Sequence, residues 1–119
     1  MEETEVRLRD FIDAVGEGDK PALEHLYRAT SAKLYGVVLR ILRKPELAAE
    51  ALPEAYLRIW REAANYDPGV LDPLSWLVMH ARRAALDLAR RRADLGYTEP
   101  AESPEPPSEA DDAESQNAV

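Results

Sequence analysis

The sequence predicts an all-α fold, a compact bundle of about four helices, and three observations carry that prediction. Between residues 1 and 96, apolar residues recur at spacings of three and four, the signature of helices with one buried side. β-branched residues are sparse and no stretch alternates apolar with polar, so no strand is read. Turn-forming residues gather around Gly16–Asp19, at Lys44-Pro45 and from Asn65 to Asp72, and cut the sequence into four helix-length pieces.

The first helix is predicted from about Thr4, as N-cap, to Val15, with Val6, Leu8, Phe11, Ile12 and Val15 toward one side. Gly16 and Gly18 end it. Asp19 is placed to cap the second helix, with Pro21 just inside it. That helix carries Leu23, Leu26 and Tyr27, then Tyr35, Val38, Leu39 and Leu42; Thr30 and Ser31 are a predicted weak point, and Lys44-Pro45 a stop. The third helix follows Pro45 and reaches about Ala64, turning Leu47, Ala51, Ala55, Tyr56, Ile59 and Ala63 inward. Pro53 lies inside this pattern, where a proline costs ~3 kcal/mol, so the helix is kinked there or its regular part begins there. Asp72 caps the fourth helix, with Pro73 at its first position, and this helix runs to about Arg92.

Charge divides the sequence more sharply than its net value of −8 suggests. Residues 97–119 contain seven acids and no Lys or Arg, leaving 16 acids against 15 bases in residues 1–96. Four of the nine prolines also fall in this last stretch, which has almost nothing large and apolar to bury. The expectation is a folded domain over 1–96 and a disordered acidic, Pro-rich tail or interdomain linker over 97–119. As a tail it is a solvated segment or an electrostatic decoy for a basic surface.

Several function classes fall away. With no cysteine, disulfides, thiolate catalysis and Cys-ligated zinc are excluded. No apolar run approaches the ~20 residues of a membrane span, and the acidic N-terminus is no signal peptide, so a soluble cytoplasmic protein with no membrane partner is expected. His25 and His80 lack partners at metal-ligand spacing, and no phosphate-cradling glycine loop or nucleophile elbow is present. Glu50 and Glu54 are helically spaced and read as a solvated or docking face rather than an acid–base pair. Neither an enzyme nor a resident cofactor or metal is expected.

The fourth helix is the informative segment. From Leu77 to Arg92 it holds five arginines (Arg82, Arg83, Arg90, Arg91, Arg92) and one acid, Asp87. Such a stripe can neutralise phosphates and gain from counterion release. Arginines near a helix C-terminus also complement the helix dipole, which accounts for Arg90–Arg92 better than for Arg82 and Arg83. Before this helix, Tyr66 and Trp76 flank a Pro/Gly/Asp turn, an arrangement in which unpaired bases stack or are pocketed while arginines hold the backbone. The neighbours Leu77 and Val78 favour a core place for Trp76.

Taken in order, these residues resemble a known family. Leu26-Tyr27 through Leu34-Tyr35 is followed by Pro45 and an acidic helix ending Tyr56-Leu57-Arg58-Ile59-Trp60. Then come Tyr66-Asp67-Pro68, Pro73-Leu74-Ser75-Trp76-Leu77, Ala81-Arg82-Arg83, Ala85-Leu86-Asp87 and a closing arginine run. The set resembles region 2 of bacterial extracytoplasmic-function (group IV) RNA polymerase sigma factors over roughly residues 8–92. The resemblance implies docking on the clamp helices of the largest subunit of core RNA polymerase, and recognition and melting of the promoter −10 element. It implies capture of the non-template single strand by the loop before the last helix, and regulation by an anti-sigma factor.

By position, the resemblance puts polymerase docking on Glu50 and Glu54, continued by Arg58 and Arg61. DNA contact falls on Asn65, Tyr66, Asp67 and Ser75 and on the exposed side of the fourth helix at His80, Arg82, Arg83 and Arg90. Trp60 looks structural, and Asp87 is expected to hold neighbouring basic side chains or the loop. Pro53 stands where the family usually has Gln, Leu47 and Ala49 replace acids, and Arg83 replaces an Asn. The family's helix-turn-helix reader of the −35 element is not in this sequence, which is either part of a longer protein or a one-domain relative. The rival reading is a sigma-like interaction module that binds an anti-sigma partner or polymerase without reading DNA.

Overall fold

A computed structural model describes residues 2–96, with side chains from Val6 onward. The described residues are helical, with no strand. Helix α1 spans Glu2–Gly16. It starts before Thr4, which therefore lies within the helix and not at its N-cap position. Leu8, Ile12 and Val15 face the core, whereas Val6 is exposed, because two residues turn it about 200° away from Leu8.

The turn to the next helix is tight and locally encoded. Asp19 N–H donates to the Ala14 carbonyl at 3.1 Å and Gly18 N–H to the Val15 carbonyl at 2.9 Å, a Schellman pattern with Gly18 at φ +90°. Asp19 then caps α2 (Lys20–Leu42), accepting from Ala22 N–H at 3.1 Å. Gly16 is required for a different reason: a Cβ there would lie 3.0 Å from the Ala64 backbone.

Helix α2 runs unbroken through Thr30 and Ser31. Thr30 is buried, its hydroxyl donating to the Leu26 carbonyl at 2.7 Å. That uses its only proton, so the Tyr56 hydroxyl donates to Thr30 Oγ1 at 2.5 Å. Leu26, Leu34, Val38 and Leu42 share the stripe with Thr30, every fourth residue turning inward. Arg43 ends the helix in the left-handed region, φ 70°, its N–H donating to the Leu39 carbonyl.

Helix α3 (Pro45–Glu62) is one helix with Pro53 inside it, so the alternative that its regular part begins at Pro53 is overturned. Pro53 and Ala49 are both exposed, so the carbonyl that loses its partner lies on the solvent side. Ala48, Ala51 and Ala55 are fully buried, and such small side chains let α2 and α3 approach closely. A 3-10 turn, Ala63–Asn65, follows and packs against α1. Helix α4 (Pro73–Asp94) completes the core with Trp76, Leu77, Ala81, Ala84, Ala85 and Leu88.

By compactness the chain divides at Ala89, residues 1–89 forming one unit and 90–119 another. The described part of the second unit is the end of α4 and a turn at Gly96, φ +88°. The predicted tail, 97–119, lies outside the described residues. Among the described residues no helix is long and apolar enough to cross a membrane.

Candidate functional site

Helix α3 presents a graded face. Glu50, Glu54, Arg58 and Arg61 recur at four- and three-residue steps, so they form a continuous strip. Glu50 and Arg61 are exposed, Glu54 and Arg58 half-buried. At the strip's C-terminal end Arg58 pairs with Asp87 of α4. Asp87 thus holds a basic side chain, as expected, and the pair ties α4 to α3. Trp60 is half-buried and packs on the core.

The loop between the 3-10 turn and α4 is held by its own side chains. Tyr66 is buried, its hydroxyl donating to the Leu71 carbonyl at 2.9 Å. Asp67 accepts from Gly69 N–H at 2.8 Å. Asp72 accepts from Ser75 N–H at 3.1 Å, capping α4 as predicted; the hydrogen bonds of Ser75 hold this carboxyl below its usual range. Asp67, Ser75 and the tip at Pro68–Val70 remain exposed. Burial, helped by the charge of Asp72, pushes the Tyr66 phenol up.

Two expectations need correction. Tyr66 is not an open stacking platform, because its ring packs on Trp76, centroids 4.9 Å apart. His80 is not on the exposed side of α4: it is 4% exposed, its ring edge-on to Trp76 at 4.5 Å. Trp76 sits one turn before His80 and takes both rings into the core, so a cluster of Tyr66, Trp76 and His80, packed tilted and edge-on, underlies the loop.

Beneath the C-terminal turn of α3, Trp76 and His80 border a cleft of about 380 Å³. Arg58, Arg61 and Asn65 line it from one side, Trp76, His80 and Arg83 from the other. Asn65 is exposed and donates to Glu62 at 3.4 Å, which also lines the cleft. Neither ring nitrogen of His80 has a hydrogen-bond partner, nor has the buried Nε of Arg58. Burial pushes the His80 imidazole below the usual histidine value; Arg83 and Arg58 act in the same direction, against Glu62. The imidazole is therefore neutral at physiological pH.

The cleft joins residues that the sequence assigned to separate surfaces, Arg58 and Arg61 to docking and Asn65, His80 and Arg83 to DNA. The signal for this was present: Arg58, Arg61 and Asn65 are helically spaced, as are Trp76, His80 and Arg83. Glu62 and Met79 complete the lining at the same helical spacings. Arg82 is exposed and outside the lining. Arg90 is exposed and belongs to the second unit. Among the described residues no group of three or more His, Asp or Glu is arranged to hold a metal ion.

This arrangement coincides with a family match: residues 26–94 match Sigma-70 region 2. The chain belongs to that family. An ECF RNA polymerase sigma factor SigK of Mycolicibacterium vanbaalenii is 40% identical over 103 residues, covering 82% of this chain and 53% of that protein. The SigK of Mycobacterium sp. (strain KMS) is 41% identical over 76 residues, 64% of this chain and 39% of the relative. That of Mycobacterium tuberculosis (strain ATCC 25177 / H37Ra) is 35% identical over 88 residues, 71% and 47%. The chain thus spans about half the length of the curated relatives it matches. No solved structure matches it significantly. The match to region 2 takes in the acidic strip, the loop and the arginine-lined cleft.

Proposed function

We propose that this chain is the polymerase-docking and −10-reading module of an RNA polymerase sigma factor acting in transcription initiation. The observation that carries the reading is the Sigma-70 region 2 match over residues 26–94, which contains every candidate contact named above. The module works by binding, with no catalytic step. Its partners are core RNA polymerase, through the clamp helices of the largest subunit, and promoter −10 DNA, chiefly the non-template single strand. An anti-sigma factor is a further partner, and the cytoplasm its place of action.

On this reading residues 1–96 are the folded module and 97–119 a tail or interdomain linker. Glu50 and Glu54 supply the acidic docking contacts, with Arg61 at the strip's exposed end. Arg58, held by Asp87, fixes α4 against the docking helix. Asn65, Asp67 and Ser75 edge the loop that takes unpaired bases, and Arg82, Arg83 and Arg90 neutralise the strand's phosphates. Tyr66 and His80 act from below, as the packed floor on which the loop is shaped. Polymerase supplies proximity, and the binding energy offsets unstacking of the bases. The near-neutral charge of residues 1–96 and the acidic stretch after them suit a module that binds duplex DNA poorly by itself.

The test is capture of core polymerase, or of its clamp-helix fragment, by the 119-residue chain. Binding that is lost in Glu54→Arg supports the docking assignment. Absence of binding by the folded wild-type chain overturns the reading.

A further inference from the structure

We propose that the outer face of α3 is a self-association surface, on which a second copy of this chain packs its own α3 in the antiparallel sense. The apolar residues point to it first. Ala49, Pro53, Leu57 and Trp60 recur at four- and three-residue steps, so at about 100° per residue they fall within roughly 80° of arc. Ala49 and Pro53 are exposed, Leu57 is 43% exposed, and Trp60 is half-buried at the edge of the core. Beside them stands Tyr27 of α2, 45% exposed and packed on Tyr56. Exposed apolar side chains scattered singly are ordinary, but a contiguous stripe rimmed by charge marks an interaction face.

The charges select the occupant. Glu50 and Arg61 are exposed and flank the stripe on one side, about 60–80° round from Pro53. The acid lies toward the N-terminal end of α3 and the base toward the C-terminal end. A two-fold axis perpendicular to α3 at Tyr56–Leu57 reverses that order and keeps the flank. Leu57 then meets Leu57 of the second copy, Pro53 meets its Trp60, and Glu50 comes beside its Arg61, each unlike pair twice. A parallel pairing would leave these charges on opposite flanks. Opposite charges across an apolar seam set the orientation of a helix pair, and a face that complements itself is what a two-fold contact requires. One helix face covers less than the ~800 Å² per partner of a standard interface, so the dimer is weak and reversible. It also covers Glu50 and Arg61 of the docking strip, so the dimer is a stored form that does not dock on polymerase. That consequence rests on the function proposed above; the contact itself does not.

The sequence has no cysteine, so one introduced thiol reads the two-fold axis directly. In the full chain, Leu57→Cys should cross-link to itself under oxidised glutathione about tenfold faster than Val70→Cys, an exposed control outside the stripe. Sedimentation velocity of the wild-type chain over a concentration series should show a reversible monomer–dimer equilibrium. Leu57→Glu should abolish it, and Arg61→Glu should weaken it roughly fivefold. Glu50→Arg/Arg61→Glu should restore it, because reversing both charges keeps each pair. Equal cross-linking rates, a monomer at every concentration, or a dimer indifferent to Leu57→Glu overturns the contact. A double variant no better than Arg61→Glu, with its unfolding midpoint kept, overturns the antiparallel arrangement. If the wild-type chain stays monomeric and Leu57→Glu costs polymerase capture, the face belongs to polymerase and the dimer is overturned. Polymerase capture by the disulfide-linked Leu57→Cys dimer is scored separately: it should fail until the disulfide is reduced. A linked dimer that captures polymerase refutes docking on α3 and leaves the contact standing; a monomeric chain that captures polymerase refutes only the contact.

Discussion

On one side of α3, Tyr56 and Thr30 form a buried polar pair in which each hydroxyl proton has an acceptor; on the other, Arg58 and His80 hold buried nitrogens that have none. Tyr56 and Arg58 are two residues apart, about 200° around the helix, so a single element presents both seams. The first is closed: Tyr27 packs on Tyr56 with centroids 4.9 Å apart, and small alanines bring α2 and α3 together. The second opens into an arginine-lined cleft. Saturated polar groups inside a tight seam serve the fold. On the function proposed above, the unsaturated ones at the base of a cleft lie on the side that serves recognition. The comparison therefore assigns stability to the α2–α3 seam and recognition to the α3–α4 seam, and each assignment can be broken.

The largest expected effect is on the closed seam. Tyr56→Ala removes a buried aromatic and orphans Thr30 from its long-range partner, and should cost about 3–5 kcal/mol in urea unfolding. A loss below 1 kcal/mol would show that this seam is not the structural one. The same tyrosine predicts an alkaline limit. Burial pushes its phenol up to about 12, above its ordinary 10.0. A group raised in the folded state contributes its full stability below the unfolded value and loses it as pH rises through the folded one. About 2–3 kcal/mol should therefore disappear between roughly pH 10 and 12. Tyr56→Phe should flatten that part of the profile; an unchanged slope would contradict the assignment.

The α3–α4 seam has the opposite pH signature. His80 is held below its ordinary 6.5, so protons bind the unfolded chain more readily and stability falls as pH drops below that value. Arg83, Arg58 and Glu62 are the charges that set this response, with Glu62 opposing. His80→Leu should remove the acid-side loss and be neutral or stabilising at pH 7, since it deletes unpartnered nitrogens. A marked destabilisation at pH 7 would show that the His80 nitrogens, beyond the packing of its ring, support the fold. The cap beside this seam gives a modest effect: Asp72→Ala loses the α4 cap and should cost about 1 kcal/mol by thermal unfolding.

What could be read from the sequence was local. Asp19 and Asp72 as caps, Gly16 and Gly18 as a helix end, and Lys44-Pro45 as a boundary follow from chemistry within a few residues, and the structure bears them out. Thr30 is no weak point, because its hydroxyl donates to Leu26 in its own helix and accepts from Tyr56, a partner 26 positions away. Val6 lies outside the core because it and Leu8 are on opposite sides of α1. For the candidate site, the basic face of α4 was legible as arginines in a pattern. The burial of Tyr66 and His80 was not, since it depends on where Trp76 packs. Nor was the union of Arg58 and Arg61 with His80 and Arg83, which needs α3 and α4 to be neighbours.

The most direct test of the account measures two affinities on one set of variants: the chain for core polymerase, and the resulting complex for a melted −10 single strand. The Arg82→Ala/Arg83→Ala variant should lose strand binding while keeping polymerase binding and its unfolding midpoint, and Glu54→Arg should lose polymerase binding. Strand binding unchanged in the double variant would contradict the claim that the cleft side of α4 is the recognition surface.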